Sequence, residues 1–413
     1  EFSQVFGWSP GYSLTEKSSL QSICNGHFIV DHGLEKSAVI SFLQSEIAMR
    51  GTQENQLLGV SYNNLIDWHL FITNRNIRYV HNRSNSIPRT FEFTSESENL
   101  LTPEKFLEFQ SVPSPQVYPN LEDLLIDTIS EQRRIIYGEL GGSIDISNIA
   151  SLFNAIIFIR ALEDYSDRNF TKQGLVEQFD ENTSSIGKIT YTLGERILSL
   201  EYSGEIADLL NVKGLQCFNA LSDITVRNLF LSFYTSPKIP YRYDFAIMSK
   251  HALSRIYEKY VTMLSVPTTM EEQLFPYEAI DNIRRDSGTV YTPQFIANFF
   301  AQYAERNLTN DQFLKSQVLD PSCGSGIFLR TFAERMANLI LLNGGKETDE
   351  IFNRLTGYDI DANAIAVTKL SLSLLHLILS GGKLTTDLSL KEADFLQIFL
   401  NRTENNLLSR YDI

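Results

Sequence analysis

Residues 318–336 combine acidic, small and flexible residues in an order that suits ligand binding. Two apolar residues lead to Asp320 and a proline, and a short loop of serine, cysteine and glycine follows. Apolar residues then recur at helical spacing from Ile327 onward. This order predicts a strand, a tight turn and a helix. The two loop glycines leave no Cβ atom to block a ligand, and the helix start presents free backbone N–H groups.

Asp320 narrows the class of ligand that this loop suits. A phosphate-binding turn needs amide donors and no carboxylate, because an acid there would repel the pyrophosphate. A carboxylate at the strand end favours a ligand with a cationic or amine-bearing part, such as the sulfonium and α-amino groups of S-adenosylmethionine (SAM). A strand, turn and helix with glycine at the bend is also a common structural element without any ligand. The loop alone leaves both interpretations open, and a nicotinamide cofactor is the least favoured.

The sequence DPSCGSGIFL at 320–329 resembles the SAM-binding motif of DNA methyltransferases that act on the N6 amino group of adenine. Further segments match this family in its order. Tyr291-Thr292-Pro293 precedes the loop, the acids after the next predicted strand follow it, and the pair Asp394-Phe395 comes last. The resemblance covers about the last third of the chain. It implies SAM as cofactor and a Rossmann-like α/β methyltransferase domain.

The resemblance also implies roles for single residues. Tyr291 and Thr292 would contact the methionine end of SAM. Asp359 would accept hydrogen bonds from the ribose hydroxyls, a geometry shared with dinucleotide-binding folds. Ile360 would lie against adenine, the Asp394 carboxylate would accept from the adenine amine, and Phe395 would lie near the ring. The predicted cofactor-binding residues are Tyr291, Thr292, Asp320, Ser322, Gly324, Ser325, Gly326, Phe328, Asp359, Ile360, Asp394 and Phe395.

The catalytic motif of the family, Asn/Asp-Pro-Pro-Tyr/Phe after the fourth strand, is absent from this sequence. In that motif the Asn side chain and a proline carbonyl hold the target amine, and the aromatic ring stacks on a flipped-out base. Tyr411-Asp412-Ile413 resembles the start of the strand that leads into the motif. We therefore expect no catalytic residue here, and a SAM-binding fragment that does not methylate by itself.

The composition of the chain limits the kinds of partner and the cellular compartment that can be expected. No apolar run reaches the roughly 18–20 residues that span a bilayer, so no membrane partner is expected. Three scattered cysteines give neither a disulfide framework nor a zinc spacing, which favours a reducing cytoplasm and no metal site. The net charge of −15 argues against a simple nucleic-acid-binding protein, because such binding neutralises phosphates with Lys and Arg. The double-stranded DNA that the resemblance implies would bind mainly through parts outside this chain. A specificity subunit or a homo-oligomer is a further possible partner.

Three domains are predicted: an α+β domain at 1–115, an all-α connector at 116–270, and an incomplete SAM-methyltransferase domain at 271–413. Apolar spacing predicts a helix at 34–49, and apolar runs predict strands at 57–62 and 65–80, with a hairpin turn at 74–76. Four arginines near this hairpin (Arg75, Arg78, Arg83 and Arg89) are expected on its solvated surface, and contact with phosphate is the alternative that stays open. The segment 96–120, rich in Ser, Glu and Pro, is expected to be a linker.

The first domain raises a second possibility. Its segment DWHLFITNRNIRYVHN at 67–82 resembles the late strands of a nuclease-like domain that precedes some restriction–modification methyltransferases. Such nucleases hold Mg²⁺ through acidic residues and a lysine. The nearest candidates are Asp31, Glu35, Lys36 and Glu46, and they fit a helix start and a solvated face better.

The function that follows from this resemblance is a SAM-dependent DNA adenine-N6 methyltransferase of a bacterial restriction–modification or phage-defence system. The full-length protein would be the active enzyme. Two alternatives stay open. One is a bifunctional enzyme with an active Mg²⁺-dependent nuclease in its first domain. The other is a non-catalytic scaffold that binds DNA or a partner protein.

Overall fold

The computed structural model describes residues 24–32, 35–48, 50–94, 96–110, 115–141, 144, 146–165, 174–182, 188–198, 210, 212–245, 292, 294–342, 349–380, 388–401 and 411–413. The chain divides into two compact units, residues 1–128 with 228–252 and residues 129–227 with 253–413. The division into three domains with boundaries near 115 and 270 stays a prediction.

A five-stranded sheet forms the centre of the first unit. Its strands lie in chain order: β1 (Cys24–His32), β2 (Glu35–Leu43), β3 (Trp68–Ile72), β4 (Asn76–His81) and β5 (Arg89–Glu92). The β2–β3 pair is parallel and the other pairs are antiparallel. Helix α1 (Thr52–Asn63) makes the crossover between β2 and β3. The hairpin turn predicted at 74–76 is confirmed, because β3 and β4 flank it.

The helix predicted at 34–49 is wrong, because β2 occupies this segment. Ala38, Val39, Ile40 and Ser41 are all fully buried, so both faces of the strand are covered. A strand that is buried on both faces shows no alternation of apolar and polar residues. Its apolar residues therefore fell at intervals that also suit a helix.

The strand predicted at 57–62 is wrong as well, because these residues lie in α1. Leu57 to Asn63 are all buried, and a short apolar run cannot tell a buried helix from a buried strand. The helix ends in a Schellman arrangement, with Ile66 N–H donating to Ser61 O at 3.0 Å and Leu65 N–H to Tyr62 O at 3.1 Å. Leu65 has a φ of 59° there, in the left-handed region that favours glycine.

The linker expected at 96–120 is wrong over much of its length. A 3-10 helix (Ser97–Leu101) and α2 (Pro103–Gln110) form there. Leu101 and Phe106 are buried in the apolar cluster on one face of the sheet, together with Trp68 and Tyr79. These two apolar residues fix the segment to the sheet in spite of its polar composition.

Residues 228–245 return to the first unit and pack near the end of α1. Tyr241 Oη donates to Asn82 O at 2.5 Å, and Asn63 Nδ2 donates to Arg242 O at 3.0 Å. The Tyr62 and Tyr241 rings lie 5.1 Å apart. The first unit is therefore assembled from two stretches of chain, 1–128 and 228–252, with 99 residues between them in sequence.

Helices dominate the middle of the chain, as the helical spacing of its apolar residues predicts. They are α3 (Leu121–Leu140), α4 (Ile146–Tyr165), α5 (Leu175–Glu181), α6 (Lys188–Leu198), a 3-10 helix (Val212–Ala220) and α7 (Asp223–Leu231). Helix α4 is apolar on most sides, and Phe153, Ile156 and Phe158 are fully buried.

A three-stranded parallel sheet lies near the C-terminus, which confirms the mixed α/β class of this region. Its strands are β6 (Val318–Asp320), β7 (Leu355–Asp359) and β8 (Ser389–Glu392), in that spatial order. Its helices are α8 (Gln294–Asn307), α9 (Asn310–Lys315), α10 (Ile327–Leu342), α11 (Asp349–Phe352), α12 (Ala362–Ser380) and α13 (Phe395–Asn401). Helix α10 connects β6 to α11 and β7, and α12 leads from β7 toward β8. The order strand, turn and helix predicted at 318–336 is confirmed.

Residues 411–413 lie beside the other edge of β6. Leu319 N–H donates to Ile413 O at 2.9 Å, and Ile413 N–H donates to Gln317 O at 3.2 Å. This exchange is the hydrogen-bond pattern of a parallel pair. β6 is therefore hydrogen-bonded on both sides, with β7 on one side and the backbone of Ile413 on the other. No helix among the described residues is long and apolar enough to cross a membrane.

Candidate cofactor site

The carboxyl ends of the three parallel strands bring the predicted site residues together. Asp320 ends β6 and pairs in register with Gly357 of β7, and Asp359 ends β7 and pairs with Glu392 of β8. Because the strands are parallel neighbours, the loops that follow them emerge at the same edge of the sheet. Ligands of open α/β sheets bind at this edge.

Asp320 is buried, with 8% of its surface exposed. Its Oδ1 accepts a hydrogen bond from Ser322 N–H at 3.2 Å, while its buried Oδ2 has no hydrogen-bond partner. Burial is the main cause that raises the pKa of Asp320 to about 6; the hydrogen bond from Ser322 N–H opposes it, and the charge of Asp359 adds to it. A buried carboxylate oxygen without a partner is costly in a folded protein and marks a place that a donor can occupy.

The loop between β6 and α10 depends on two glycines. Gly324 has a φ of 52° and Gly326 a φ of 81°, both in the left-handed region. No heavy atom lies within 4 Å of the Cβ position at Gly324, whereas a Cβ at Gly326 would meet Thr368 Cγ2 at 2.6 Å. Gly324 thus leaves open space at the loop, and Gly326 allows the loop to approach α12 closely.

Asp359 holds the glycine loop in place. Its Oδ2 accepts a hydrogen bond from Gly324 N–H at 2.8 Å, and its Oδ1 accepts from Asp361 N–H at 2.9 Å. Each carboxylate oxygen can accept more than one hydrogen bond, so both stay able to accept from a ligand. The next residue, Ile360, is 74% exposed at the same edge. Asp361 begins the turn into α12, as Ile365 N–H donates to Asp361 O at 3.1 Å.

The last two carbonyls of β7 bind the loops on either side. Tyr358 O accepts from Cys323 N–H at 2.8 Å, and Asp359 O accepts from Ala393 N–H at 2.8 Å. The loop after β6 and the turn after β8 are thus fixed to the same central strand end.

Asp394 and Phe395 lie in the turn from β8 into α13. Asp394 Oδ1 accepts from Gln397 N–H at 3.2 Å, which is the geometry of a helix N-cap. Phe395 is buried and packs on Tyr358 of β7, with ring centroids 5.1 Å apart. The structure therefore gives both residues a structural role as well, and their contact with adenine stays a prediction.

The remaining predicted residues surround the start of α10. Ser322 is exposed, Ser325 is half-buried, and the half-buried Phe328 lies 6.0 Å from Phe300 of α8, measured between ring centroids. Thr292 is half-buried and lies two residues before α8, while Tyr291 lies outside the described residues. The side-chain contact between Phe328 and Phe300 brings α8 to the start of α10.

Two residues of this site have no clear sequence signal. Thr368 lies on α12, far from the loop in sequence, and its Oγ1 donates to Gly324 O at 2.7 Å. A Cβ at Gly357 would meet Leu390, Leu329 and the Cys323 sulfur, which lies 3.1 Å away. A buried threonine in an apolar helix and a single glycine in a strand are too common to predict such contacts. Burial and nearby acids raise the pKa of the Cys323 thiol to about 12, so it stays protonated at neutral pH.

The acidic character of this edge fits a ligand that carries positive charge. Asp320, Asp359 and Asp394 lie at the ends of three adjacent strands, and the raised pKa of Asp320 is a direct effect of this burial and crowding. The orphan Oδ2 of Asp320 and the open side of Gly324 fit an amine or a sulfonium neighbour better than a phosphate. The described residues therefore fit the cofactor that the resemblance implies.

Of the nuclease candidates in the first unit, the structure describes the side chain of Glu46. Glu46 Oε1 accepts from Thr73 Oγ1 at 3.1 Å and from Asn76 Nδ2 at 2.9 Å, so it braces the hairpin turn. The side chains of Asp31, Glu35 and Lys36 lie outside what the structure describes. Within the described part of the chain, no group of three or more His, Cys, Asp or Glu could hold a metal ion.

The expectation that the hairpin arginines lie on a solvated surface is wrong for Arg78. This residue is buried, pairs with the fully buried Glu54 at 2.5 Å and lies over the Phe71 ring at 5.0 Å. Arg83 is half-buried and donates to Asp67 through Nε at 2.7 Å and Nη2 at 2.6 Å. Arg75 is exposed, as expected.

Residues 270–395 match the sequence model of the N-6 DNA Methylase family. Two solved structures are similar to this chain. The cryoEM structure of the DrdV–DNA complex has 12% identity and a TM-score of 0.33, and the match covers 96% of this chain and 37% of that one. The crystal structure of the type IIG restriction endonuclease BpuSI has 12% identity and a TM-score of 0.35, with coverage of 91% and 40%.

Because both TM-scores lie below 0.5, the fold described above does not rest on these two structures. The chain spans 37% and 40% of the lengths of those two proteins. No curated protein matches this sequence. The match of the family model includes β6, the glycine loop, β7, β8 and the pair Asp394-Phe395. Residues 270–395 are therefore similar to the N-6 DNA Methylase family, and this similarity extends over less than half of the chain.

Proposed function

We propose that residues 271–413 form the SAM-binding part of a DNA methyltransferase that methylates adenine at N6. The whole protein would act on double-stranded DNA in the bacterial cytoplasm, as part of a restriction–modification or phage-defence system. The family match supports the DNA methyltransferase class. The adenine target and the defence system rest on the sequence resemblance.

One observation carries the SAM assignment. Asp320 presents a buried Oδ2 without a partner at the edge of the parallel sheet, beside a glycine loop whose Gly324 leaves open space. An anion placed there would face the carboxylate, while a cationic or amine-bearing ligand would complete its hydrogen bonds. SAM has both features, and when bound it supplies an activated methyl group.

Each of the described residues would hold a different part of SAM. Asp320 would hold the positively charged methionine part, and the loop around Gly324 would lie against it. Asp359 would accept from the ribose hydroxyls while it keeps its bond to Gly324 N–H. The exposed Ile360 would cover one face of adenine, beside the N-cap carboxylate of Asp394.

Calorimetric titration with SAM tests this proposal. We expect the wild-type chain to bind SAM and Asp320→Asn to bind at least about 10-fold more weakly, since a hydrogen bond to a charged group contributes about 1.5–3 kcal/mol. A parallel titration with NAD⁺ is expected to give no binding.

Asp311→Asn provides the matched control. This residue is exposed on α9 and pairs only with Lys315 among the contacts described, so the same loss of charge occurs away from the site. SAM affinity in this variant is expected to equal that of the wild type. A wild-type chain that does not bind SAM, or an Asp320→Asn variant that binds it equally well, would contradict the proposed site.

A further inference from the structure

Thr368 makes an unusual contact for a buried threonine in a helix. Such residues commonly donate to the carbonyl four residues earlier in the same helix. Thr331 does so toward Ile327 O at 2.7 Å, and Thr192 toward Lys188 O at 2.8 Å. Thr368 is fully buried on α12 and instead donates to Gly324 O, 44 residues earlier in the chain, at 2.7 Å.

The hydrogen bond from Thr368 is one of two that hold Gly324 in the loop. Gly324 donates through its N–H to Asp359 Oδ2 at 2.8 Å, and its carbonyl accepts from Thr368 Oγ1. Gly324 is thus held on both sides, by β7 and by α12, while its Cβ position faces open space. The φ of 52° at this residue is a conformation that needs such support, because a free glycine also populates many others.

The methyl group of Thr368 has a second contact with the same loop. Its Cγ2 lies 2.6 Å from where a Cβ of Gly326 would be, so the two residues fit together without space for one more carbon. One side chain therefore lies against both glycines of the loop, Gly324 and Gly326.

We propose that Thr368 is a positioning residue of the cofactor site, acting through the glycine loop and not by contact with the ligand. Its hydroxyl fixes the loop in the conformation that leaves Asp320 Oδ2 open and Gly324 turned toward the space above the sheet edge. The part of this proposal that concerns cofactor affinity rests on the proposed SAM site. The anchoring of the loop does not depend on it.

Three variants of the full chain separate the hydroxyl from the rest of the side chain. Thr368→Val keeps the shape and removes the hydroxyl, and Thr368→Ser keeps the hydroxyl and removes the methyl group. Thr192→Val is the matched control, because Thr192 is equally buried but bonds only within its own helix. Thr368→Ala replaces the valine variant if that variant does not fold, since it adds no volume.

Hydrogen–deuterium exchange of the ligand-free protein gives the first readout. We expect faster exchange over residues 322–328 in Thr368→Val than in the wild type, and wild-type exchange there in Thr368→Ser and Thr192→Val. Equal exchange in Thr368→Val and the wild type would overturn the proposal. Equal acceleration in the valine and serine variants would overturn it too, because any change of the packed side chain, and not the loss of the hydroxyl, would then loosen the loop.

Calorimetric titration with SAM gives the second readout. Thr368→Val is expected to weaken binding by about 3- to 10-fold, the size of one hydrogen bond, while Thr368→Ser restores it. Unchanged affinity in Thr368→Val, with normal binding by the wild type, would overturn the positioning role. If the wild type itself did not bind SAM, the proposed function would fail, and the exchange experiment would still decide whether Thr368 anchors the loop.

Discussion

On the α1 face of the five-stranded sheet, buried polar groups bind one another, whereas at the edge of the three-stranded sheet one buried carboxylate oxygen is left without a partner. His69 lies between Ser41 Oγ at 2.7 Å and Ser61 Oγ at 3.2 Å, and Asn82 Nδ2 reaches Ser61 Oγ at 3.0 Å. Only the Asn82 amide oxygen of this network has no partner, and it is uncharged. Asp320, in contrast, places an ionisable carboxylate in a buried position.

The difference shows what separates a polar core from a ligand site. A closed network satisfies its groups within the protein and makes the fold specific, so its loss affects stability. An unpartnered buried carboxylate reduces stability and is compensated only when a ligand supplies the missing donor. Substitutions in the two regions are therefore expected to change the free energy of unfolding in opposite directions and by different amounts.

The largest effect is expected in the first unit, from Arg78→Leu. This change leaves Glu54 buried without its ion-pair partner, and breaking one side of a buried pair costs about 3–5 kcal/mol. Chemical denaturation would show the loss in the free energy of unfolding of the first unit, while SAM affinity stays unchanged. Arg75→Leu on the same hairpin is the control, because this side chain is exposed. An equal loss in both variants would remove the assigned role of the Glu54 pair.

The next largest losses of stability are expected when the two glycines of the loop are replaced by alanine. Alanine in the left-handed region costs about 1–2 kcal/mol at either position. Gly326→Ala also collides with Thr368, so we expect a loss of about 3 kcal/mol in total and weaker SAM binding. Gly324→Ala has open space and is expected to lose only about 1 kcal/mol. Denaturation of both variants checks this order, and equal losses would show that the close contact with Thr368 has no energetic weight.

An effect of opposite sign, smaller than that of Gly326→Ala, is a gain in stability from Asp320→Asn. The pKa of Asp320 rises from 3.8 to about 6 on folding, so the folded state binds a proton more tightly than the unfolded state. Its contribution is therefore favourable below about pH 4 and is lost as the pH rises through 6.

Removing the charge is expected to raise the free energy of unfolding by about 2 kcal/mol at pH 7.5, with little change at pH 4. Denaturation at the two pH values measures this. A gain of the same size at both would mean that the buried charge is not its cause. Asp320→Asn would then stabilise the fold and weaken SAM binding, whereas Arg78→Leu would destabilise the fold and leave SAM binding unchanged.

The sequence was most informative about local structure where an acid and glycines follow a short apolar run. The order strand, loop and helix around Asp320 could be predicted because the loop residues are small and the flanking periodicities differ. Parallel strands then bring Asp359 and Asp394 to the same edge as Asp320 without further information. The pairing of residues 411–413 with β6 also agrees with the strand expected there.

The first unit was harder to predict because its central elements are buried on every side. β2 has no polar face and α1 has no exposed stripe in its second half, so neither shows its own period. The polar stretch at 96–120 hides two apolar residues, Leu101 and Phe106, that fix it to the sheet. Long-range side-chain contacts such as that of Thr368 depend on packing and have no local signature.

The bonds that the end of β7 makes with its two neighbouring loops have a kinetic consequence. Tyr358 O and Asp359 O already hold the segments after β6 and β8 when no ligand is present. Little backbone has to become ordered at this edge on binding, so the entropic cost there is small. Ligand association at this edge is therefore expected to be a single bimolecular step whose rate rises linearly with ligand concentration, and differences in affinity between variants are expected to appear mainly in dissociation.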